Sequence, residues 1–514
     1  MRTRMLVCAM LLMGCAKDEP TAEYKAVARP LFSVAADTVK EYQARDSLHR
    51  LAQRRDLDTL SRNVLPALTQ YCATKNAAGY VQAACKVFAR VLPRLGVRED
   101  SLGANVVVIE SDTTTPTPPP APEPPPPASS CTLVSDWNPR TQPALAKPAY
   151  MASTIDPVFG TTITRISGDV GSTIPTVGGT WPATVKQNYP KDPVWTADGR
   201  LMVLKQGFTN SAALFLDGDS YAPLFFRSGP SGGGEWRLHP TLPDVAVVIR
   251  ADGTVSHWNV RTNTTTTKVA AVSGYSSNTF GPYEGNLSRD GRYLVAQATR
   301  SDGHLVARVI DVDGGAQLNV IDLTAAGITG LDWVTISASG NYVVAFDNSQ
   351  YTRVWTRAGT LKWYWTDMKF GHYDIELDAA GNDLAFGAEA SGTYAKRFVT
   401  RNLATGAITP ISPATSYNWH ASARNITRPG WGYAATNDLV GPVAGELYAI
   451  RTDGTVERFA HHRAINQAYN DAPMPVPSPD GRRIVFSSNW GTAGGAIQTY
   501  VMDTRQLCPN GLPQ

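Results

Sequence analysis

Imidazole, guanidinium and phenol side chains recur just before repeated apolar strands in the C-terminal part of the sequence. His372 and His420 hold similar places in successive repeats, and Arg424 follows soon after His420. An imidazole is a general base near neutral pH, and a guanidinium can neutralise a carboxylate and so acidify the adjacent C–H bond. With Tyr189 or Tyr283 as proton donor, this set would suit general acid–base catalysis next to a carboxylate. For each histidine alone, a hydrogen-bonded structural role is the alternative.

Metal coordination is a second chemistry that the histidines allow. His461 and His462 lie one loop beyond His420, so three histidine-bearing segments would bind a transition metal if they faced one channel. The sequence contains no HExxH or phosphate-binding loop, and residues 311–314 (DVDG) fall on an expected hairpin turn. We therefore expect no cofactor, with a divalent metal as the alternative.

The element that must position these side chains is an internal repeat, a polar turn followed by an apolar strand. It is clearest in SPDGRRIVFSS at Ser478, and its turn positions are Gly199, Val245, Gly291, Gly340, Gly381, Gly430 and Gly481. These positions are 46, 46, 49, 41, 49 and 51 residues apart, and each copy has a second hairpin turn further along. Two hairpin turns per unit describe a four-stranded antiparallel blade. The sequence therefore predicts an all-β fold, a seven-bladed β-propeller over residues 131–514.

The closure of the propeller can also be predicted. The last copy lacks a fourth strand, and its three strands are expected at residues 474–477, 483–488 and 497–502. An additional strand at residues 161–166 precedes the first copy, and we expect it to complete the last blade. Cys131 and Cys508 lie just outside the two ends of this join, so a disulfide between them would close a loop of almost the whole domain.

One face of the propeller is the predicted site. Each innermost strand begins near the central channel, and the residues six to eleven positions before each turn would surround that channel on one side. Their aromatic, imidazole, carboxylate and guanidinium groups would form a ligand-binding face. These rim residues are Tyr189, Asp192, Arg237, His239, Tyr283, Glu284, Asp332, Trp333, His372, Tyr373, Asp374, His420, Arg424, Asn470 and Asp471. If the protein is an enzyme, we expect His372, His420 and Arg424 to be catalytic.

The repeats resemble two groups of known propellers. SPDGRRIVFSS and its weaker copies resemble the repeats of TolB-like periplasmic propellers. The layout that begins with DPVFGTTITRISG at Asp156 resembles that of the oligogalacturonate lyases, a propeller family of polysaccharide lyases. That family binds manganese through an H-x-H pair before the last turn, and the corresponding positions here are Ala472 and Met474. The resemblance therefore implies that a lyase of this kind would have to work with His and Arg, without those metal ligands.

The N-terminus predicts export and lipidation. Arg2 and Arg4 precede a short apolar run, which ends in Leu-Met-Gly-Cys at Cys15 and resembles the lipobox of bacterial lipoproteins. We expect a signal peptide over residues 1–14 and acylation of Cys15, which would anchor the chain in a lipid membrane. Ala16 is not the aspartate of inner-membrane retention, so the resemblance implies the outer membrane of a Gram-negative cell envelope.

Two segments separate the leader from the propeller. Residues 15–112 have apolar residues at three- and four-residue spacings, which is typical of helices. Residues 113–130 form a proline-rich linker that would span roughly 50 Å as polyproline II at about 3.1 Å per residue. Four cysteines remain after processing and allow three pairings, of which the local context favours Cys72–Cys85, across a helical hairpin, and Cys131–Cys508.

The function that these observations favour is binding. A net charge of +3 gives no strong basic field, so we expect no nucleic-acid partner. We expect a cell-envelope lipoprotein whose propeller face binds a glycan or an envelope protein without converting it. A polysaccharide lyase that uses rim histidine and arginine is the first alternative, and a TolB-like protein-interaction scaffold is the second.

Overall fold

The computed structural model describes residues 131–230, 233–415, 420–436, 440–465 and 469–512, all within a unit that spans Pro124–Gln514. The predictions for the signal peptide, Cys15, the helical region, the linker and the Cys72–Cys85 disulfide lie outside these residues. No helix among the described residues is long and apolar enough to cross a membrane.

Seven antiparallel sheets follow one another along the chain, one for each sequence repeat. Two strands precede the first repeat, β1 (Ser153–Ile155) and β2 (Thr162–Arg165). Blade 1 contains β3 (Leu201–Leu204), β4 (Ala213–Asp217) and β5 (Pro223–Arg227), and blade 2 contains β6 (Glu235–Leu238), β7 (Val245–Ile249), β8 (Val255–Asn259) and β9 (Thr264–Val269). Blade 3 contains β10 (Tyr275–Thr279), β11 (Tyr293–Arg300), β12 (Leu305–Asp311) and β13 (Ala316–Asp322), and blade 4 contains β14 (Leu331–Ile336), β15 (Tyr342–Asp347), β16 (Thr352–Thr356) and β17 (Leu361–Trp365).

The last three blades complete the circle. Blade 5 contains β18 (Lys369–Phe370), β19 (Asp374–Leu377), β20 (Asp383–Ser391), β21 (Phe398–Asn402) and β22 (Ile408–Pro410). Blade 6 contains β23 (Ala421–Ser422), β24 (Trp431–Ala435), β25 (Glu446–Arg451) and β26 (Val456–His461), and blade 7 contains β27 (Val476–Pro477), β28 (Arg483–Ser488) and β29 (Gln498–Asp503). The other regular elements among the described residues are the 3-10 turns Thr209–Ser211 and Tyr469–Asp471, so the predicted all-β seven-bladed propeller is confirmed.

Hydrogen bonds of the repeated turn explain why the repeat folds as it does. In the last copy, the Ser478 hydroxyl lies 2.5 Å from Asp480 Oδ1 and accepts the N–H of Arg483 at 3.1 Å. The N–H of Gly481 donates to the Ser478 carbonyl at 2.8 Å, and Gly481 has a φ of +72°. The polar residues thus satisfy the turn internally, and the following apolar residues are left to form the strand.

Blade 2 forms the same turn, but its residue with positive φ is one position earlier than predicted. Five of the six turn glycines belong to clear copies and one to a degenerate copy, and all six have positive φ. In the other degenerate copy, the predicted position Val245 already lies in β7, and the preceding Asp244 adopts a φ of +58°. The predicted position was therefore wrong by one residue, and aspartate tolerates the left-handed region better than valine does.

The N-terminal strand closes the circle, as predicted. β2 pairs with β29, and in this pair Ile163 lies opposite Met502. Both side chains are fully buried. β1 then adds a fifth, outer strand that the sequence had not indicated. Cys131 and Cys508 form a disulfide beside this join, across a sequence separation of 377 residues.

The core lies between neighbouring blades. One apolar cluster joins Val203 of blade 1 to Trp236 and Trp258 of blade 2, and another joins Tyr433 of blade 6 to Phe486 of blade 7. The innermost strand of each blade therefore packs on this apolar core, and its polar end lies at the central channel. We call the side where the innermost strands begin the front face, and the side of the repeated turns the back face.

Candidate functional site

An open cleft with a volume of about 720 Å³ lies on the front face. The segments that lead into the innermost strands of blades 1 to 4 line it, together with the turn before blade 7. Six rim residues line this front cleft: Tyr189, Asp192, Arg237, Tyr283, Glu284 and Asp332. Other side chains in its wall are Asn188, Lys205, Gln206, Glu235 and Tyr469.

Three ion pairs form the floor of the front cleft; five of their six residues line it, and Lys191 lies behind Glu284. They join Lys191 to Glu284 at 2.8 Å, Lys205 to Asp192 at 2.8 Å and Arg237 to Glu235 at 2.7 Å. None of these six side chains is more than 15% exposed, so removal of one partner would leave a buried charge uncompensated. The floor is therefore polar, and its cations are held by carboxylates of the protein itself.

Two aromatic rim residues lie beneath this floor rather than on its surface. Trp333 is 1% exposed and Tyr373 is fully buried, and their rings are 4.7 Å apart. The Lys191 ammonium lies 3.6 Å from the centroid of the Trp333 ring, and the Tyr373 hydroxyl is bonded to Thr352 at 2.9 Å. These two rings support Lys191 from below and do not offer a face to a ligand.

Asp332 is the one carboxylate of the front cleft that stands apart from the three pairs. It lies near the start of β14 and is partly buried, and no hydrogen bond or ion pair reaches its carboxylate within the part of the chain that the structure describes. Burial raises the pKa of Asp332, the neighbouring Glu284 carboxylate raises it further, and Lys191 offsets this only in part. Asp332 is therefore a carboxylate whose surroundings favour the arrival of a positive charge.

The two predicted rim histidines meet at the edge of the cleft. A parallel backbone bridge joins His372 to His420, and their rings stack with centroids 4.8 Å apart. The Tyr189 hydroxyl lies 2.6 Å from His372 Nδ1, and the Tyr469 hydroxyl lies 3.4 Å from His420 Nε2. The sequence correctly placed these residues in one region, and the structure adds the direct contact between phenol and imidazole.

Burial determines the protonation of this group. It lowers the pKa of His372, and it lowers the pKa of His420 further, where His372, Lys186 and Lys191 add repulsion. Burial also raises the pKa of Tyr189 well above its usual value. At neutral pH both imidazoles are therefore uncharged, and the Tyr189 hydroxyl and His372 Nδ1 share a hydrogen bond between neutral groups.

Two exposed tyrosines flank the mouth of the front cleft. Tyr283 is 71% exposed and Tyr469 is 55% exposed, so each offers ring surface to a ligand. Tyr283 also has a φ of +61°, a conformation that costs a non-glycine residue on the order of 1 kcal/mol. The Arg237 guanidinium holds this conformation through a 2.5 Å hydrogen bond to the Tyr283 carbonyl. Strain of this kind is concentrated at ligand-binding sites.

Three further rim residues lie deeper, in the central channel. Asp374 and Arg424 form an ion pair at 2.9 Å, and they line a cavity of about 30 Å³, room for about one water molecule. His239 Nδ1 accepts the N–H groups of Thr241 and Leu242 at 3.2 and 3.1 Å. These residues connect blades and turns, and Arg424, the predicted catalytic cation, does not line the front cleft.

A metal site receives no support from the described residues. His461 and His462 are fully buried at the end of β26, where they contact Asp156 and Thr436 and not the other two histidines. Among the residues that the structure describes, no group of three or more His, Cys, Asp and Glu side chains could hold a metal ion. The three histidine segments therefore do not face one channel among the described residues, because the last segment belongs to an outer strand.

The positions that correspond to the manganese ligands of the lyase family are also unsuitable. Ala472 and Met474 are buried, and the Lys186 ammonium lies 3.3 Å from Met474 Sδ. Burial lowers the pKa of Lys186 to about 8, which leaves it charged at neutral pH. A cation of the protein is already present here, so a divalent metal would be repelled.

Sequence reasoning missed four residues of the site. Lys191 and Glu235 lie within the stretch that was searched before each turn, and Tyr469 lies one residue outside it. A search for opposite charges in neighbouring repeats would have found the first two. Lys205 follows β3, a second strand, so no count back from a turn would locate it. Asn470 and Asp471 follow Tyr469 in the 3-10 turn beside the cleft.

Comparison with known proteins gives likenesses of fold. No protein-family model and no curated protein matches the chain. An oligogalacturonate lyase in complex with manganese superimposes with a TM-score of 0.49 at 14% identity, over 70% of this chain and 96% of that chain. An oligogalacturonate lyase from Vibrio parahaemolyticus gives a TM-score of 0.47 at 12% identity, over 69% and 96% of the two chains. A chain of a mitotic checkpoint complex gives a TM-score of 0.37 at 14% identity, over 62% and 92%.

Proposed function

We propose that the front cleft binds a glycan and does not convert it. The observation that carries this proposal is the pair of exposed rings, Tyr283 and Tyr469, at the mouth of an open cleft with a polar floor. Aromatic rings pack against the C–H faces of sugars, and fixed polar groups bind their hydroxyls. An envelope protein is the competing ligand that the same surface would accept.

The cellular setting belongs to the same proposal. The leader, the lipobox-like sequence at Cys15 and the proline-rich linker support a propeller held away from a membrane by an acylated N-terminus. Glycan capture at the cell envelope, most simply at the outer membrane, follows from that setting. Fatty-acid labelling that persists in Cys15→Ser would contradict the anchor.

The binding experiment compares two exposed tyrosines. We expect Tyr469→Ala to weaken binding of the full-length protein to its best ligand in a panel of neutral, amino and acidic oligosaccharides about tenfold, measured by calorimetry. The matched control is Tyr364→Ala, because Tyr364 is 49% exposed on β17, far out on blade 4. Equal losses in both variants, or none in either, would contradict the proposal.

A polysaccharide lyase remains the second candidate because of one contact, the hydrogen bond between Tyr189 and neutral His372. In a β-elimination, a base removes the proton beside the uronate carboxylate, a C=C bond forms, the glycosidic C–O bond breaks, and the departing oxygen takes a proton. His372 Nε2 would serve as base while His372 Nδ1–H donates to the Tyr189 oxygen, and the Tyr189 O–H would give its proton to the departing oxygen. Ultraviolet absorbance of an unsaturated product, lost in His372→Ala, would favour this candidate over binding alone.

A further inference from the structure

The charge balance of the front cleft points to the kind of glycan it accepts. Its lining holds four carboxylates, Asp192, Glu235, Glu284 and Asp332, and two cations, Lys205 and Arg237. A third cation, Lys191, lies behind the lining and pairs with Glu284. The two imidazoles at its edge are neutral, and near His420 the opposite charges of Lys186 and Asp471 attract each other and leave the balance unchanged. The cleft as described therefore carries one uncompensated negative charge.

The cations of the cleft are committed to the protein. The Lys205 ammonium binds both oxygens of Asp192, at 2.9 and 2.8 Å, and the backbone carbonyl of Trp236. Arg237 donates to Glu235 and to the carbonyls of Gly285 and Tyr283. An acidic sugar would have to break these buried pairs before it gained a cation of its own, which is costly.

The remaining groups suit a cation. Asp332 accepts no hydrogen bond from the described residues, and the exposed faces of Tyr283 and Tyr469 are near the same opening. A carboxylate in partly buried surroundings and the face of an aromatic ring both attract an ammonium group. We infer that the front cleft selects glycan units that carry a free, protonated amino group, with the Asp332 carboxylate as its ion-pair partner. This inference rests on the proposed glycan binding and names the class of glycan.

The experiment uses calorimetry on the full-length protein with three oligosaccharides of equal length. They are a β-1,4-linked glucosamine hexamer, its fully N-acetylated counterpart and an oligogalacturonate, at a slightly acidic pH that protonates the sugar amine. We expect the glucosamine hexamer to bind about tenfold or more tightly than the acetylated one, and the oligogalacturonate to bind weakest. Added salt should reduce the difference between the first two ligands.

Variants at Asp332 separate charge from fold. Asp332→Asn should remove the preference for the amine, so that the two hexamers bind with similar affinity, whereas Asp332→Glu should retain the preference. The control is Asp313→Asn, since Asp313 lies in the turn between β12 and β13 on the back face. A thermal unfolding curve for each variant excludes a general loss of structure.

The outcomes distinguish this inference from the proposal on which it rests. Binding of the acetylated hexamer that needs Tyr469 but shows no gain from the amine would overturn the inference and leave glycan binding intact. Tighter binding of oligogalacturonate, or equal binding of a lysine oligomer that carries no sugar, would also overturn it. If none of the saccharides binds, both the inference and the proposed function fail.

Discussion

His462 is a buried imidazole that the propeller keeps uncharged. It is fully buried, and its Nε2 donates to the Thr436 carbonyl at 2.8 Å while its Nδ1 accepts the N–H of Ala464 at 3.0 Å. Both ring nitrogens are therefore satisfied only in the neutral form. Burial lowers the pKa of His462 from 6.5 to about 4, although the bond to Thr436 acts in the opposite direction.

This residue makes the stability of the propeller depend on pH. Between the two pKa values the unfolded chain binds the proton and the folded chain does not, so stability is fully present above about pH 6.5. As the pH falls toward about 4, His462 alone should lower the free energy of unfolding by up to about 3 kcal/mol. We expect the difference between wild type and His462→Gln, measured by urea denaturation, to shrink over this interval. Parallel pH curves would contradict the assignment.

At the scale of the elements, the repeated back-face turn is the most regular feature, and its glycines are not equivalent. Gly381 and Gly481 hold the same place in blades 5 and 7, with φ values of +83° and +72°. A Cβ at Gly381 would meet nothing within 4 Å, whereas at Gly481 it would collide with the Tyr433 hydroxyl. That hydroxyl donates to the Gly481 carbonyl at 3.0 Å and so joins blade 6 to blade 7.

The two glycines therefore form a matched pair for substitution. Gly381→Ala should cost only the left-handed backbone conformation, about 1 kcal/mol in the free energy of unfolding. Gly481→Ala should cost about 3 kcal/mol, because Tyr433 must also move and give up its hydrogen bond. Chemical denaturation of both variants measures the difference, and equal losses would mean that the contact between the blades contributes little.

Local signals explain why the sequence was sufficient to predict the blades. A turn such as SPDG satisfies its own hydrogen bonds within six residues, and the strand after it is apolar in every copy, so each unit can be recognised without its neighbours. The outer strand β1 was missed because Ser153–Ile155 is short and mostly exposed, with no apolar pattern. The shift at Asp244 arose in a copy that lacks the turn glycine.

The site was less predictable because it is built between blades. Counting back from the turns placed Tyr189, Glu284 and Asp332 near one opening, since that step needs only the shared strand direction. Whether a ring lies on the surface or beneath it depends on packing from the next blade, which is why Trp333 was expected on the face and is buried. The pairing of Lys205 with Asp192 likewise joins two segments outside the regular strands, and the sequence does not state how they align.

At the scale of the whole molecule, two features hold the two ends of the propeller together. The pairing of β2 with β29 buries Ile163 in the cluster between blades 6 and 7, and the Thr161 hydroxyl donates to the Phe459 carbonyl at 2.6 Å. The Cys131–Cys508 disulfide lies outside this strand pair and fixes the same closure covalently. The front cleft depends on this closure, because residues of the segment before blade 1 and of the turn before blade 7 both line the cleft.

The disulfide should therefore contribute to the stability of the whole propeller. Its loop of nearly 380 residues restricts the unfolded chain, and the loop-entropy relation gives a stabilisation of about 6 kcal/mol. We expect the double variant, Cys131→Ala with Cys508→Ala, to lower the free energy of unfolding by about this amount. Its stability should equal that of reduced wild type, since both lack the same crosslink. Glycan affinity at a temperature well below unfolding should stay unchanged, because the strand pair still closes the ring. A double variant as stable as the oxidised protein would mean that strand pairing alone secures the closure. A double variant that is folded but no longer binds glycan would mean that the crosslink also determines the shape of the cleft.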